Sequence, residues 1–349
     1  MKKTLVYIAA AAAVLAACQK ENKATILEKD TVTATFEISI PGQPATKAVT
    51  SDDQTKVGDG RAADNLVFAV FDEEGNELTN LRQGDWVNDI GDTTEEITFD
   101  NAETPATTVT VNLVRGKVYT FVCWAQNKEA VCYDFKDMKY IGIDYTKYNA
   151  ANNDLRDAFY ACVKTEKVTS DFTQSVTLNR PFAQINVGTT DFEAAKKAGL
   201  EIDDLYSTMT VDNAATVLET FTGKATAPVK VTFAYAHAVA PEYDLVIDKS
   251  LVKNEPKVDI QDKYGWLAMN HILVADGADN PVVEVTFEIS EGEGENAVVL
   301  TKYTVPSVPV NRNYRTNIVG DLLTAEGTID IIIDPVYIGE IVKDDVPGL

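Results

Sequence analysis

The stretch TVTATFEISI, residues 31–40, alternates without a break: Val32, Ala34, Phe36, Ile38 and Ile40 are apolar, while Thr31, Thr33, Thr35, Glu37 and Ser39 are polar. A period of two places all the apolar side chains on one face only if the backbone is extended, so this segment reads as a half-buried strand. The pattern recurs along the chain. TTVTVNL (107–113), VKVTFAY (229–235) and VVEVTFEIS (282–290) alternate in the same way. LVFAVF (66–71) and VYTFVCWA (118–125) are apolar at nearly every position, as a strand covered on both faces must be. Gly75-Asn76, RGK (115–117) and EGEGEN (291–296) supply tight turns between such runs. Strand, short turn, strand is the rhythm of a sandwich, so the fold class is expected to be mainly β.

The remaining segments extend this reading. EEITFD (95–100), YGWLAMNHILVA (264–275), AVVLTKYTVPSV (297–308) and GTIDIIIDP (327–335) are expected strands. STMTVDNAATVLETFTGKAT (207–226) is expected to be strand, turn, strand, with DNAA at the bend. TDFEAAKKAGLEID (190–203) is the best helix: Thr190 or Asp191 caps it, and Gly199 ends it. Pro181 cannot donate a ladder hydrogen bond and belongs at a strand end. Residues 126–160, rich in Tyr and Asp, are expected to be loops with a short helix, and the Tyr-rich span 133–160 reads as either an exposed adhesive surface or a long loop packed on the sandwich. A chain of 349 residues is long enough for two domains, with the boundary expected near residue 178.

The first strand is followed by PGQPATKAVTSDDQTKVGDGRAAD, residues 41–64, a polar segment rich in turn residues with Lys47, Lys56 and Arg61 along it. It reads as an exposed loop. Upstream, MKK is a basic n-region and TLVYIAAAAAV an apolar run too short to span a bilayer. Residues 1–17 therefore read as a signal peptide, ending at LAAC with Cys18. Residues 18–30 read as a tether. The net charge is −23, and loss of Lys2 and Lys3 takes it to −25. Such a field repels phosphate backbones, so no nucleic-acid partner is expected. Beyond Cys18 only Cys123, Cys132 and Cys162 remain, an odd set that excludes a disulfide framework and leaves a Cys123–Cys132 bridge open.

LAAC resembles the bacterial lipobox, whose cysteine carries the acyl chains of a lipoprotein. Together with DAFYA (157–161), NRPFAQINVGT (179–189), LAMNHILV (267–274) and VPVNRNYRTNIVGDLLT (308–324), it makes the chain similar to the fimbrillins. These are type V pilus subunits of Gram-negative anaerobes, and the similarity is greatest to their branch of lipoproteins of unknown function. The resemblance implies two tandem transthyretin-like β-sandwich domains with few short helices, 31–178 and 179–335, and a lipid-anchored, surface-exposed protein of the outer membrane or fimbrium. It implies that strand 31–40 is a placeholder that a processing protease releases by cutting in 41–64. The family cuts after Arg, whereas here Lys47 lies just past the strand and Arg61 is the nearest Arg; either cut frees it. The tail 336–349 of one subunit would then fill the groove of another, through Val336, Ile338 and Val342. As a simple last edge strand the tail reads equally well. Partners are accordingly other pilus subunits, the outer membrane and the protease, with no cofactor.

No catalytic motif accompanies these features. His237 and His271 lie in apolar runs without a companion at metal-ligand spacing, and H-E-x-x-H, paired C-x-x-C, G-x-S-x-G and P-loop motifs are absent. The acidic clusters SDDQTKVGDG and EGEGEN lack the EF-hand pattern and read as solvated turns. Trp86, Trp124 and Trp266 are either a sugar platform or, for the latter two, core. The expected role is a structural or adhesive subunit and not an enzyme. The alternative is a non-polymerising surface lipoprotein that binds glycan or a host protein.

Overall fold

The computed structural model describes residues 30–40, 63–88, 90–91, 95–100, 105–148, 156–201, 205–234, 244–246, 252, 263–274, 281–292, 294, 297–324 and 329–334. The fold is mainly β, as expected from the alternation. Among the described residues the strands form three sheets. The first has three strands in the order β4 (Ala106–Val114), β1 (Thr31–Ser39), β9 (Phe172–Thr177). The second has four, in the order β3 (Ile97–Thr98), β2 (Asn65–Phe71), β5 (Thr120–Gln126), β8 (Ala158–Lys164). These two sheets enclose a core of Val32, Phe36, Ile38, Phe68, Phe121 and Phe159 with their neighbours.

Every residue of β2 and β5 is buried. The reason is a second core on the other face of the same sheet. Val67, Ala69, Phe71, Val122 and Trp124 point away from the first core into a larger one shared with the third sheet. The two-faced apolar pattern of LVFAVF and VYTFVCWA is thus the signature of a central layer.

The third sheet runs β16 (Val298–Pro309), β15 (Val282–Glu291), β11 (Leu205–Glu219), β14 (Lys263–Leu273), β10 (Phe182–Thr189), β17 (Arg315–Gly320), β18 (Ile329–Asp334). On β11 also pairs β12 (Lys224–Ala234), and on β14 pairs β13 (Asp244–Val246). The small hairpin of β6 (Tyr133–Asp134) and β7 (Tyr140–Ile143) joins the third sheet through Val217–Glu219 of β11. The chain therefore reaches the third sheet before residue 178 and returns to the second with β8. Pro181 sits at the threshold of β10, where its missing N–H costs no ladder bond.

Two expectations need correction, and two readings that the sequence left open are decided. Residues 205–219 are one strand of 15 residues, not two joined by a bend. DNAA is a bulge instead: Asn213 adopts φ +68°, and the register on β12 shifts between Val211 and Ala214. A bulge turns the strand without breaking it. β11 accordingly leaves β15 at Asp212 and touches β14 at Ala215 and β7 from Val217, linking two halves of the sheet. The hairpin turn comes later, where Gly223 has φ +70°. Second, EEITFD pairs only at Ile97 and Thr98. Third, the Tyr-rich span is not an exposed adhesive surface where it is described. It holds β6, β7 and a 3-10 turn at Tyr145–Tyr148, with Tyr133, Phe135, Met138, Ile141 and Tyr145 in the large core. Fourth, no bridge joins Cys123 and Cys132. Both are buried free thiols, and the half-buried Cys162 is free as well.

The helix forms where expected, as α1 (Phe192–Lys197), with Gly199 at φ +96° just after it. Asp191 holds the N-cap position, yet its carboxylate makes no cap bond. It instead accepts from the backbone N–H groups of Leu322, Leu323 and Thr324 and from the hydroxyls of Thr189 and Thr324, pinning the end of β17 to the start of α1.

Candidate functional site: the first strand and its groove

β1 is the middle strand of its sheet. On one side it runs antiparallel to β4, from Thr31 opposite Val114 to Ser39 opposite Ala106. On the other it runs parallel to β9, from Ala34 beside Phe172 to Ser39 beside Thr177. Backbone bonds continue past both ends: Arg115 N–H donates to Asp30 O at 2.7 Å, and Ile40 N–H to Pro105 O at 2.9 Å. Where β9 has not yet begun to pair, Asp171 takes over, its Oδ1 accepting from Thr33 N–H at 2.7 Å.

The five alternate side chains all face the first core. Val32 is 2 % exposed, and Ala34, Phe36, Ile38 and Ile40 are fully buried. Phe36 is the centre of an aromatic cluster, with ring centroids 4.5 Å from Phe121, 5.1 Å from Phe68 and 6.0 Å from Phe172. The opposite face of β1 carries Thr31, Thr33, Thr35, Glu37 and Ser39, all partly or well exposed. Adjacent strands lie about 4.7–4.9 Å apart, so β4 and β9 flank a slot one strand wide. Without β1 both would expose unpaired backbone toward each other, above an apolar floor of Phe68, Phe121 and Phe172.

The other site residues read from the sequence, Cys18, Lys47, Arg61, Val336, Ile338 and Val342, lie outside the described residues, as does His237. His271 is fully buried in β14, and burial holds its imidazole well below the usual range, reinforced by the nearby Arg180 and Arg156. Trp124 is fully buried and Trp86 packs against the large core, so these two form no exposed platform. Burial also pushes the Cys132 thiol up to about 12 and the Cys162 thiol up to about 11, which keeps both protonated and unreactive. Among the described residues no group of three or more His, Cys, Asp or Glu side chains is placed to hold a metal. Among them, too, no helix is long and apolar enough to cross a membrane.

A second constellation was missed by residue-level reading. The segments DAFYA, NRPFAQINVGT, LAMNHILV and VPVNRNYRTNIVG meet at one buried polar seam between β8 and the third sheet. Arg180 donates from Nε and Nη2 to the two carboxylate oxygens of Asp157, both at 2.6 Å, and from Nη1 to Asn313 Oδ1 at 2.9 Å. Arg156 Nη2 reaches Asn270 Oδ1 at 2.9 Å. On the other face of the third sheet, Asn186 Nδ2 reaches Asn317 Oδ1 at 2.7 Å. Arg312 donates to Tyr160 Oη and to the carbonyls of Gly223 and Val274. Arg156, Asp157 and Arg180 are at most 1 % exposed. Charged residues inside segments otherwise apolar are the signal that points to such a seam.

A protein-family model matches residues 27–347. The chain belongs to DUF6562, a family of unknown function. The matched span of this DUF6562 chain begins before β1 and takes in all three sheets. Curated proteins provide no match to the sequence. Solved structures do. A candidate adhesin from Bacteroides ovatus matches at 9 % identity and TM-score 0.46, over 86 % of this chain and 92 % of that one. A candidate cell adhesion protein, also from Bacteroides ovatus, matches at 13 % identity and TM-score 0.44, over 88 % and 98 %. A fimbrial assembly protein from Parabacteroides distasonis matches at 14 % identity and TM-score 0.39, over 87 % and 96 %.

Proposed function

We propose that this DUF6562 chain is a lipid-anchored cell-surface protein, a structural or adhesive pilus subunit, and that β1 is a removable strand. Cys18 carries the lipid and holds the protein on the outer membrane. A surface protease cuts after Lys47 or Arg61 and frees the strand. A strand from a neighbouring subunit then takes its place, and the chain's own tail, through Val336, Ile338 and Val342, serves as a donor to the groove of a different subunit.

The observation that supports this reading is the position of β1. It lies between two strands that pair with it and not with each other, and it puts five apolar side chains into one core. The polar run 41–64 is the covalent link from it to the strands that follow. Burial of those side chains contributes roughly 5–10 kcal/mol before ordering costs. A replacement strand recovers that burial together with the backbone bonds on both sides, which is β-augmentation within a sheet. A head-to-tail contact of this kind does not close on itself and yields a filament.

The test is mass spectrometry of the N-terminus of the protein taken from its native cell surface. A start at Ala48 or Ala62 is the expected result. A start at acylated Cys18 with residues 31–40 retained in all of the surface protein overturns strand removal and leaves a monomeric binding or anchoring lipoprotein.

A further inference from the structure

We propose that the groove beneath β1 selects its replacement by side-chain order, that it rejects this chain's own tail, and that the strand filling it comes from a different polypeptide. This rests on the strand-removal reading above and names the partner's chemistry at that same site.

The groove asks for a fixed sequence of sizes. Val32 lies opposite Leu113, and Ala34 is held between Val111 on β4 and Phe172 on β9. Ala34 is fully buried with Val111 and Phe172 as its neighbours, so a bulky side chain at the second position would have to displace one of them. The third position is an aromatic box, since Phe36 lies within 6.0 Å of three Phe ring centroids. Ile38, between Thr107 and Val176, and Ile40 complete a run of medium, small, aromatic, branched, branched. None of the five positions is more than 2 % exposed, so an ionised side chain at any of them would be buried without a partner.

The tail does not meet that order. Ile329–Asp334 is committed to β18, so the donor must begin after Asp334. From Pro335 to Leu349 no five alternating positions are free of charge. The even series, Val336, Ile338, Glu340, Val342, Asp344, brings Ile338 to the small position and Glu340 to the aromatic box. The odd series, Pro335, Tyr337, Gly339, Ile341, Lys343, brings Tyr337 to the small position and Lys343 to the last. Sliding either series further adds Asp345 or keeps Asp344. A second copy is therefore a poor donor, and a strand of the type Val-x-Ala-x-Phe-x-Ile-x-Ile is a good one.

The mature chain, Cys18–Leu349 in detergent, carries an engineered protease site within residues 49–56 and is cut once, so that β1 stays in place but is no longer tethered. Fluorescent peptides are then offered: residues 31–40, the same peptide with Ala34→Phe, residues 335–349, and residues 335–349 with Ile338→Ala, Glu340→Phe and Asp344→Ile. The 31–40 peptide and the redesigned tail are expected to load, and the Ala34→Phe peptide and native tail to load at least tenfold less. Native tail loading as readily as 31–40 overturns the proposal. Failure of the redesigned tail while 31–40 loads overturns the assignment of selection to these side chains. If 31–40 itself does not exchange into the folded, cut protein, strand removal fails and this inference falls with it.

Discussion

Single residues carry very different weights in this molecule. Phe36 packs against Phe68 and Phe121 of the facing sheet and Phe172 of its own, and its truncation leaves a cavity bounded by these three rings. Phe36→Ala is expected to cost about 3–5 kcal/mol, read from urea unfolding, whereas Thr35→Ala on the solvated face is expected to stay within about 0.5 kcal/mol. Asp157 and Arg180 are both buried and bonded to each other, so removing either partner strands the other charge. Arg180→Ala and Asp157→Ala are each expected to cost about 3–5 kcal/mol, with a double mutant less destabilised than the sum. His271 is buried with its folded pKa depressed by burial and by Arg180 and Arg156. The unfolded chain takes up a proton near pH 6.5 that the folded chain refuses, so stability is full above that value and falls as pH drops below it. Urea unfolding is expected to show stability falling between pH 7 and pH 5, and the fall should be smaller in His271→Asn. Asp191 shifts the other way in effect. Burial raises it, but the hydrogen bonds from Thr189, Thr324 and Leu323 prevail and hold it below its ordinary value, so its contribution persists until the pH falls below the usual carboxylate range.

At the scale of elements, alternation made β1, β4 and β15 legible, because a half-buried strand writes its exposure into every second residue. It failed at β11. Asp212-Asn213 has the chemistry of a turn, and Asn tolerates the left-handed conformation that a turn and a bulge both require. Which of the two forms depends on whether strands wait on either side to continue the pairing, and β12, β15, β14 and β7 do. Asn213→Ala is expected to destabilise by about 1–2 kcal/mol and Asn213→Gly by far less, measured by thermal unfolding. The same dependence on neighbours explains Asp191. Its place before an Ala-rich run marks a helix start, but the loop after β17 offers it three backbone N–H groups. The hairpin β6–β7 was hidden because its burial comes from aromatic residues packed against the third sheet, with too few residues to show a period.

At the scale of the whole molecule, the second sheet is a shared wall. One face holds the core that β1 completes, and the other holds the larger core and the Arg180–Asp157 seam. A chain that has lost β1 therefore keeps one intact core and an anchored wall. Hydrogen exchange on the cut protein after removal of β1 is expected to accelerate in β4 and β9 while β10, β14 and β17 keep their protection. Uniform loss of protection would mean that the two cores unfold as one unit. The sequence by itself determined the fold class, the inward-facing residues of β1 and the two-faced character of β2 and β5, because each is encoded within a few neighbouring residues by periodicity and apolarity. Only the tertiary structure decided which strands flank β1, that Ala34 faces Phe172, that DNAA is a bulge, and that four distant segments converge on one buried polar seam. Those features depend on pairings between residues tens to more than a hundred positions apart, and no local pattern records which partner a strand or a buried charge will meet.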